Sequence, residues 1–199
     1  MKLRDEGFTP AIKLQVLMYP VMQGLDFQLP SMIQNKDGPL LTQAWMVWFV
    51  CQYMEGNARR QQIYMANEHV SPSFKKTGMS HLDADRLPAR LRTGYVKPSL
   101  ETGDETVWND LKDRLLNPYW SPLVAADVEN LPKTYLFTAH FDPLRDEGVL
   151  YAIRLREAGN DVTHVHGDIA IHGIFSLVEE FEEAAILFRK MTDFISENL

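Results

Sequence analysis

The sequence contains few of the features that would assign its class at once. A single cysteine, Cys51, excludes an internal disulfide, and its apolar neighbours predict a buried thiol. The formal net charge of −7 leaves no excess of basic residues to bind phosphates, so we expect no nucleic-acid partner. The longest uninterrupted apolar run, Ala44 to Cys51, is too short to cross a bilayer.

Three short segments predict the strands of a parallel sheet. Leu14 to Tyr19 is a nearly continuous apolar run closed by Pro20, which is typical of a strand covered on both faces. Residues 133–140 repeat this pattern, and residues 161–166 are more polar, as suits an edge strand. An amphipathic helix is predicted between them at 146–158. The strand, helix and strand should form a right-handed crossover, which indicates an α/β fold.

Two further segments complete the predicted fold. The last helix, 176–197, places apolar residues at alternating spacings of four and three, namely Leu177, Phe181, Ala184, Phe188, Met191 and Ile195. The interval between the first two strands is far longer than an ordinary crossover, with helical patterns near 42–54, 58–67 and 105–116. This insertion follows the carboxyl end of a strand, so we expect it to cover a site as a lid.

An acidic residue and a histidine follow neighbouring predicted strands. Asp142 comes just after the strand at 133–140, and His172 follows the next strand. This order matches the second half of a Ser…Asp…His triad, in which the acid accepts a hydrogen bond from Nδ1–H of the histidine and fixes its tautomer. Two other interpretations remain open. Asp142 followed by Pro143 also suits the start of a helix, and Asp168 is a rival acid for His172.

Other polar residues near this motif have simpler interpretations. Asp146 lies one turn into the predicted helix, so we expect it to cap that helix or to face solvent. His164 and His166 alternate along a strand, as zinc ligands sometimes do. Without a third ligand at close spacing, we interpret them as exposed histidines of an edge strand and expect no metal.

A nucleophile for such a triad is missing from the sequence. No Gly-x-Ser-x-Gly turn occurs in the 199 residues. Ser80 has a leading glycine but no trailing one, and Ser176 lies beyond His172 in the wrong chain order. Cys51 lies among apolar residues, where a thiolate is not stabilised. We therefore assign no nucleophile within the chain.

Several short motifs occur together in a distinctive order. They are Leu14-Gln-Val-Leu-Met-Tyr-Pro20, Ser121-Pro-Leu123, Leu131-Pro132, Asp142-Pro-Leu-Arg-Asp-Glu-Gly148, Leu155-Arg-Glu-Ala-Gly159 and His172-Gly173. In this combination the chain resembles the hormone-sensitive-lipase-like α/β-hydrolases, and within them the arylacetamide deacetylase and neutral cholesterol ester hydrolase branch. The similarity runs through nearly the whole chain and is strongest over residues 121–173.

The resemblance implies a serine carboxylesterase that acts on hydrophobic acyl esters or on arylacetamides, with no cofactor. It implies that Asp142 is the triad acid and His172 the base. Residues 21–120 would form the lid and acyl pocket, where Trp45, Trp48 and Phe49 are candidates for lining the substrate cavity.

The departures from the family pattern shape the expected fold. The oxyanion-hole segment, His-Gly-Gly-Gly or similar, and the Gly-Asp-Ser-Ala-Gly elbow are absent from the sequence. We therefore expect residues 1–199 to be one partial domain, the C-terminal half of an α/β-hydrolase fold. It would comprise parallel strands with flanking helices, a largely helical insertion at about 21–120, and the acid- and histidine-bearing strands with the terminal helix at 121–199.

The same departures shape the expected function. We expect a member of a hydrolase family that is inactive as it stands. The alternative is a non-catalytic protein that binds hydrophobic ligands or a partner through the retained pocket. Members of this branch are anchored in the endoplasmic reticulum membrane by an N-terminal helix, so the resemblance implies that location and membrane association through an anchor that these residues lack. A truncated gene model, a splice product and a real short protein are all compatible with such a sequence.

Overall fold

A parallel sheet forms the centre of the molecule. A computed structural model describes all 199 residues, and its strands are β1 (Leu14–Met18), β2 (Lys133–Phe141) and β3 (Val162–Ile171). The strand order is β1-β2-β3, and both neighbouring pairs are parallel. The predicted α/β class is confirmed.

Eight α-helices and five short 3₁₀ segments surround this sheet. The α-helices are α1 (Lys2–Asp5), α2 (Pro30–Gln34), α3 (Gln43–Glu55), α4 (Gln61–Met65), α5 (Pro72–Thr77), α6 (Glu105–Leu115), α7 (Arg145–Glu157) and α8 (Glu182–Asn198). The 3₁₀ segments are Ser80–Leu82, Ala84–Arg86, Ala89–Arg92, Pro122–Val124 and Ile174–Leu177. None of the helices combines the length and hydrophobicity that crossing a bilayer requires.

The two faces of the sheet are covered by different elements. On one face, Leu136 of β2 belongs to a core of 31 buried residues that includes Leu150 and Leu155 of α7 and the helices of the long insertion. On the other face, Phe137 of β2 packs in a second core of 9 buried residues with Leu187 of α8. Alternate side chains of β2 therefore serve opposite cores, as the pleat of a strand requires.

The packing face of the last helix differs from the predicted one. α8 begins at Glu182 rather than at 176, because Gly173 adopts a left-handed φ of 76° and a 3₁₀ turn follows it. Its buried residues are Ala184, Leu187, Met191 and Phe194. Phe181 and Phe188, which belong to the predicted stripe, are 55% and 38% exposed. The apolar stripe is thus rotated towards Leu187.

The first strand is less covered than its apolar sequence predicts. Leu14 to Leu17 are half-buried, and Met18 is 41% exposed. β1 pairs with β2 on one side only, so its other side is an open edge of the sheet. Leu17 packs against the larger core and Val16 against the smaller one, so β1 contacts a core on each face but is only partly covered.

The long insertion is helical, as predicted, although α4 is shorter than the pattern at 58–67. α3 begins where the Thr42 hydroxyl accepts a hydrogen bond from Trp45 N, and it ends at Gly56, whose φ of 69° suits a left-handed cap. One side of α3 is buried through Met46, Val47, Val50 and Met54, whereas Trp45 and Phe49 are more than half exposed. The helix therefore presents a second, uncovered apolar face.

Candidate functional site

Strand register brings Asp142 and His172 together. Phe141 of β2 lies opposite Ile171 of β3, so the residue that follows each strand occupies the same position at the carboxyl edge of the sheet. His172 Nδ1 donates a hydrogen bond of 2.9 Å to Asp142 Oδ2. The predicted contact between these two side chains is present.

A bulge in β3 excludes the rival acid from this contact. Ala139 pairs with Gly167, but Phe141 pairs with Ile171, so β3 carries extra residues between these two pairs. Asp168 lies in the bulge, where its side chain is 76% exposed and Oδ1 lies 3.2 Å from Arg90 Nη1. Asp168 therefore points to solvent and not to His172.

Asp142 also fulfils the structural role that the sequence left open. Its side chain is fully buried, and Oδ1 accepts a hydrogen bond of 2.8 Å from Leu144 N at the turn into α7. One oxygen thus holds the turn while the other binds the histidine. The two interpretations of Asp142 are compatible, since a carboxylate has two acceptor atoms.

The prediction for Asp146 is wrong, because this residue is fully buried. Its Oδ1 accepts a 2.7 Å bond from Arg145 Nε, and its Oδ2 accepts a 2.6 Å bond from Ser31 N. Ser31 Oγ in turn donates to the carbonyl of Pro143. These bonds tie α2 to the turn that contains the catalytic-acid candidate.

Glu147 fastens a second segment to the same helix. Oε1 accepts a 2.7 Å bond from Met22 N, and Oε2 accepts a 2.8 Å bond from Gln23 Nε2. Burial, with a smaller contribution from the charge of the nearby Asp142, raises the pKa of Glu147 to about 8 despite these bonds. Acidic side chains that follow Asp142 thus hold the start of the insertion against the sheet.

Tyr19 packs against the candidate base. The ring centroids of Tyr19 and His172 are 4.7 Å apart, and the φ of Tyr19 is 37°, a rare value for a residue with a side chain. Burial raises the pKa of Tyr19, and Asp142 adds to this shift. On the other side, Gly173 takes a left-handed conformation that turns the chain directly after His172.

An apolar cavity of about 540 Å³ opens beside His172. Its lining residues are Tyr19, Val21, Leu41, Met46, Phe49, Val50, Tyr53, Trp120, Leu144 and His172. Phe49 therefore lies where the sequence placed it. Trp45 and Trp48 do not line this cavity but border a separate depression with Gln61, because they lie on a different side of α3.

An aromatic pair that the sequence did not predict lines this cavity. Tyr53 and Trp120 stack with ring centroids 4.5 Å apart and planes 15° from parallel. Tyr53 is four residues beyond Phe49 on α3, so helical spacing would have placed the two on one side. Trp120 lies after α6 and far in sequence from Tyr53, so no local sequence pattern indicates that it belongs to the site.

The strand histidines are not the exposed residues that the sequence predicted. Thr138 Oγ1 lies 2.8 Å from His164 Nε2 and 2.9 Å from His166 Nδ1, on the face of the sheet that α7 covers. Burial lowers the pKa of each histidine to about 4, and nearby cationic side chains contribute. Both imidazoles are therefore neutral at pH 7.

The site can hold and move a proton. Because the Asp142 carboxylate accepts from Nδ1, the hydrogen of the neutral His172 ring is on Nδ1, and Nε2 is left as the acceptor. The His172 side chain is 27% exposed and borders the cavity. A hydroxyl that entered from the cavity side could donate to Nε2.

Cys51 is buried, and burial raises its pKa to about 11, as expected of an inert thiol.

Comparisons with known proteins support a common family. A family model described as the alpha/beta hydrolase fold matches residues 1–88 and 83–176. Neutral cholesterol ester hydrolase 1 of Rattus norvegicus is 36% identical over 174 residues, which cover 84% of this chain and 42% of the relative. Arylacetamide deacetylase of Oryctolagus cuniculus is 33% identical over 180 residues, which cover 87% of this chain and 44% of the relative.

A solved esterase structure is also similar to this chain over part of its length. A fungal esterase of Rhizomucor miehei superposes with a TM-score of 0.66 at 26% identity, covering 99% of this chain and 44% of that one. The chain therefore spans less than half the length of the curated and structural relatives named here.

Proposed function

The chain belongs to the α/β-hydrolase family, as its motifs predict, and we propose that Asp142 and His172 are the acid and base of a serine carboxylesterase or deacetylase site. The observation that supports this role most directly is the 2.9 Å bond between His172 Nδ1 and Asp142 Oδ2 at the carboxyl edge of the sheet. In a triad, such an acid orients the imidazole and stabilises the imidazolium that forms during proton transfer.

The proposed substrate is a hydrophobic ester or amide. The cavity beside His172 is lined almost entirely by apolar and aromatic side chains, which favour an apolar acyl or aryl group over a charged one. Phe49 and the stacked Tyr53–Trp120 pair would contact that group. The names of the two relatives refer to an ester and an acetamide, and we extend that substrate class to this chain as part of the proposal.

The mechanism assigns one task to each group. His172 Nε2 accepts the proton of a serine hydroxyl as that oxygen attacks the acyl carbon, and it later donates the proton to the leaving alcohol or amine. Asp142 keeps its charge and holds the Nδ1–H. No Gly-x-Ser-x-Gly turn lies within the 199 residues, so we propose that this chain alone does not turn over esters.

A chimera tests the proposal. The segment of the Rattus norvegicus relative that aligns with this chain is replaced by residues 1–199, and hydrolysis of p-nitrophenyl butyrate is measured. We expect turnover in the chimera, none in the isolated chain, and a loss of about 10³-fold or more in kcat for His172→Ala and Asp142→Asn in the chimera.

Asp168→Asn is the matched control in the chimera, because Asp168 is an exposed carboxylate on β3, the strand that His172 follows. We expect it to keep kcat within a few-fold of the parent. Loss of activity in Asp168→Asn with retention in Asp142→Asn would overturn the assignment of the acid. Esterase activity of the isolated chain that His172→Ala abolishes would overturn the proposed inactivity.

A further inference from the structure

A second cavity lies away from the proposed esterase site and shares no lining residue with it. It has a volume of about 430 Å³ and lies between α5, the 3₁₀ segments after it and the loop that precedes α6. Two buried residues of opposite charge line it, Asp26 at 9% exposure and Lys75 at 6%. Buried charges without a direct partner are costly, so a cavity that contains one of each sign calls for explanation.

The Asp26 carboxylate is only half satisfied. Oδ1 accepts a 2.8 Å bond from Gln28 N and a 2.6 Å bond from Asn67 Nδ2. Oδ2 accepts no hydrogen bond from the protein, although it belongs to a side chain that lines the cavity. Burial raises the pKa of Asp26, and the bonds from Gln28 and Asn67 and the charge of Lys75 oppose this shift only in part. A donor that carries positive charge would satisfy the free oxygen.

The Lys75 ammonium, like the Asp26 carboxylate, is only partly satisfied by the protein. Nζ donates a 2.8 Å bond to the carbonyl of Thr102 and lies 3.5 Å from the hydroxyl of the same residue. It forms no ion pair with Asp26, although each residue shifts the pKa of the other. An ammonium has three donors, so one hydrogen of Lys75 remains for an acceptor in the cavity.

The other cationic residues around this cavity are already neutralised. Lys97 lies 2.8 Å from Asp83 and 2.6 Å from Asp85, and Lys76 lies 2.8 Å from Glu101. These ion pairs are exposed and lie at the rim of the cavity. The unpaired charge of the interior is therefore limited to Asp26 and Lys75, while Met79, Leu82 and Leu100 add an apolar wall.

We propose that this cavity is a binding site for a small zwitterion, an amino acid with an aliphatic side chain. The ammonium group of the ligand binds Asp26 Oδ2, its carboxylate binds Lys75 Nζ, and its side chain packs against the wall formed by Met79, Leu82 and Leu100. Such a ligand supplies both missing counter-charges at once, which neither an anion nor a cation does.

Calorimetric titration of the 199-residue chain with L-leucine tests the site. 3-Methylbutylamine and 4-methylpentanoate, which each lack one charged group of leucine, are the comparison probes. We expect saturable binding of leucine and about tenfold or weaker binding of each probe, the loss that corresponds to one charge-assisted hydrogen bond. Failure of leucine to saturate at 10 mM would overturn the proposal, as would amine binding as tight as that of leucine.

Three variants locate the binding. Asp26→Asn and Lys75→Met each remove one interior charge, and we expect each to weaken leucine binding about tenfold or more. Lys76→Met is the matched control, because it removes a rim charge of the same cavity, and we expect unchanged affinity. Unaltered binding in both interior variants would refute the site. If Asp26→Asn does not fold, Lys75→Met and the two probes decide the question.

Discussion

Asp142 divides its two oxygens between a backbone amide and an imidazole, and this division has a measurable consequence. We expect Asp142→Asn to reverse the tautomer of His172, because the new amide nitrogen can donate to Nδ1 and leave the ring hydrogen on Nε2. Nitrogen-15 NMR of the ring distinguishes the two tautomers. The loss of a buried charge-assisted bond should also lower the free energy of unfolding by about 1–3 kcal/mol.

Asp168→Asn serves as the control for that tautomer measurement, since Asp168 is an exposed carboxylate on β3, the strand that His172 follows. The ring of His172 should keep its hydrogen on Nδ1 in this variant. A tautomer that is the same in the parent and in Asp142→Asn would show that Asp142 does not orient the imidazole.

His164 and His166 should make the free energy of unfolding depend on pH in the acid range. Their pKa in the folded protein is about 4, below the ordinary value of 6.5. As pH falls, the unfolded chain therefore binds protons at these residues before the folded protein does. Their contribution to stability is therefore constant above pH 6.5 and is lost between pH 6.5 and 4. In that window each histidine lowers the free energy of unfolding by up to roughly 1.4 kcal/mol per pH unit.

The comparison with a variant isolates these two histidines, because Glu147, with its raised pKa, shifts stability in the opposite sense over the same range. We expect His164→Gln/His166→Gln to lose less stability than the parent between pH 7 and pH 5 in urea denaturation. Parallel losses in the two proteins would contradict the prediction.

The contact between Asp142 and His172 was predictable from the sequence, whereas its surroundings were not. Both residues directly follow strands, and parallel strands end at a common edge. The bulge that turns Asp168 outwards depends on pairing between β2 and β3, which periodicity does not encode. The burial of Asp146 depends on Ser31, which lies far away in sequence.

Among the elements, the last helix shows how a regular pattern can select the wrong face. The predicted stripe and the buried face share Ala184 and Met191 but differ at Leu187 and Phe188. Phe188 instead lies beside Phe175, with ring centroids 6.0 Å apart, at the border of the core. Both faces are apolar in sequence, so the approach of β3 decides between them. Leu187 lies against Gly167, where a Cβ would come within 3.2 Å of its Cδ1.

This difference between neighbouring residues can be measured. We expect Leu187→Ala to lower the free energy of unfolding by about 2–4 kcal/mol, because it removes a side chain that is only 2% exposed. Phe188→Ala, the matched control at 38% exposure, should cost less than half as much even though it removes more atoms. Urea denaturation of both variants gives the comparison, and a larger loss in Phe188→Ala would restore the predicted stripe.

At the scale of the whole molecule, the sheet has two unequal edges. β3 ends one side with polar residues, a bulge and the exposed Asp168, all of which discourage pairing with another strand. β1 ends the other side with the apolar sequence Leu14 to Met18, and its backbone groups that face away from β2 have no strand partner. The uncovered aromatic residues Trp45 and Phe49 of α3 add exposed apolar surface.

From these edges we predict that the 199-residue chain associates when it is expressed alone, with β1 as the point of contact. Size-exclusion chromatography should show species larger than the monomer of 22.9 kDa, and an apolar dye should bind. Met18→Lys should shift the chain towards the monomer, because a charge at an edge strand opposes pairing. Ile169→Lys, at an apolar position on β3 that is 68% exposed against 41% for Met18, should not. A monodisperse parent protein, or equal effects of the two lysines, would show that β1 does not direct association.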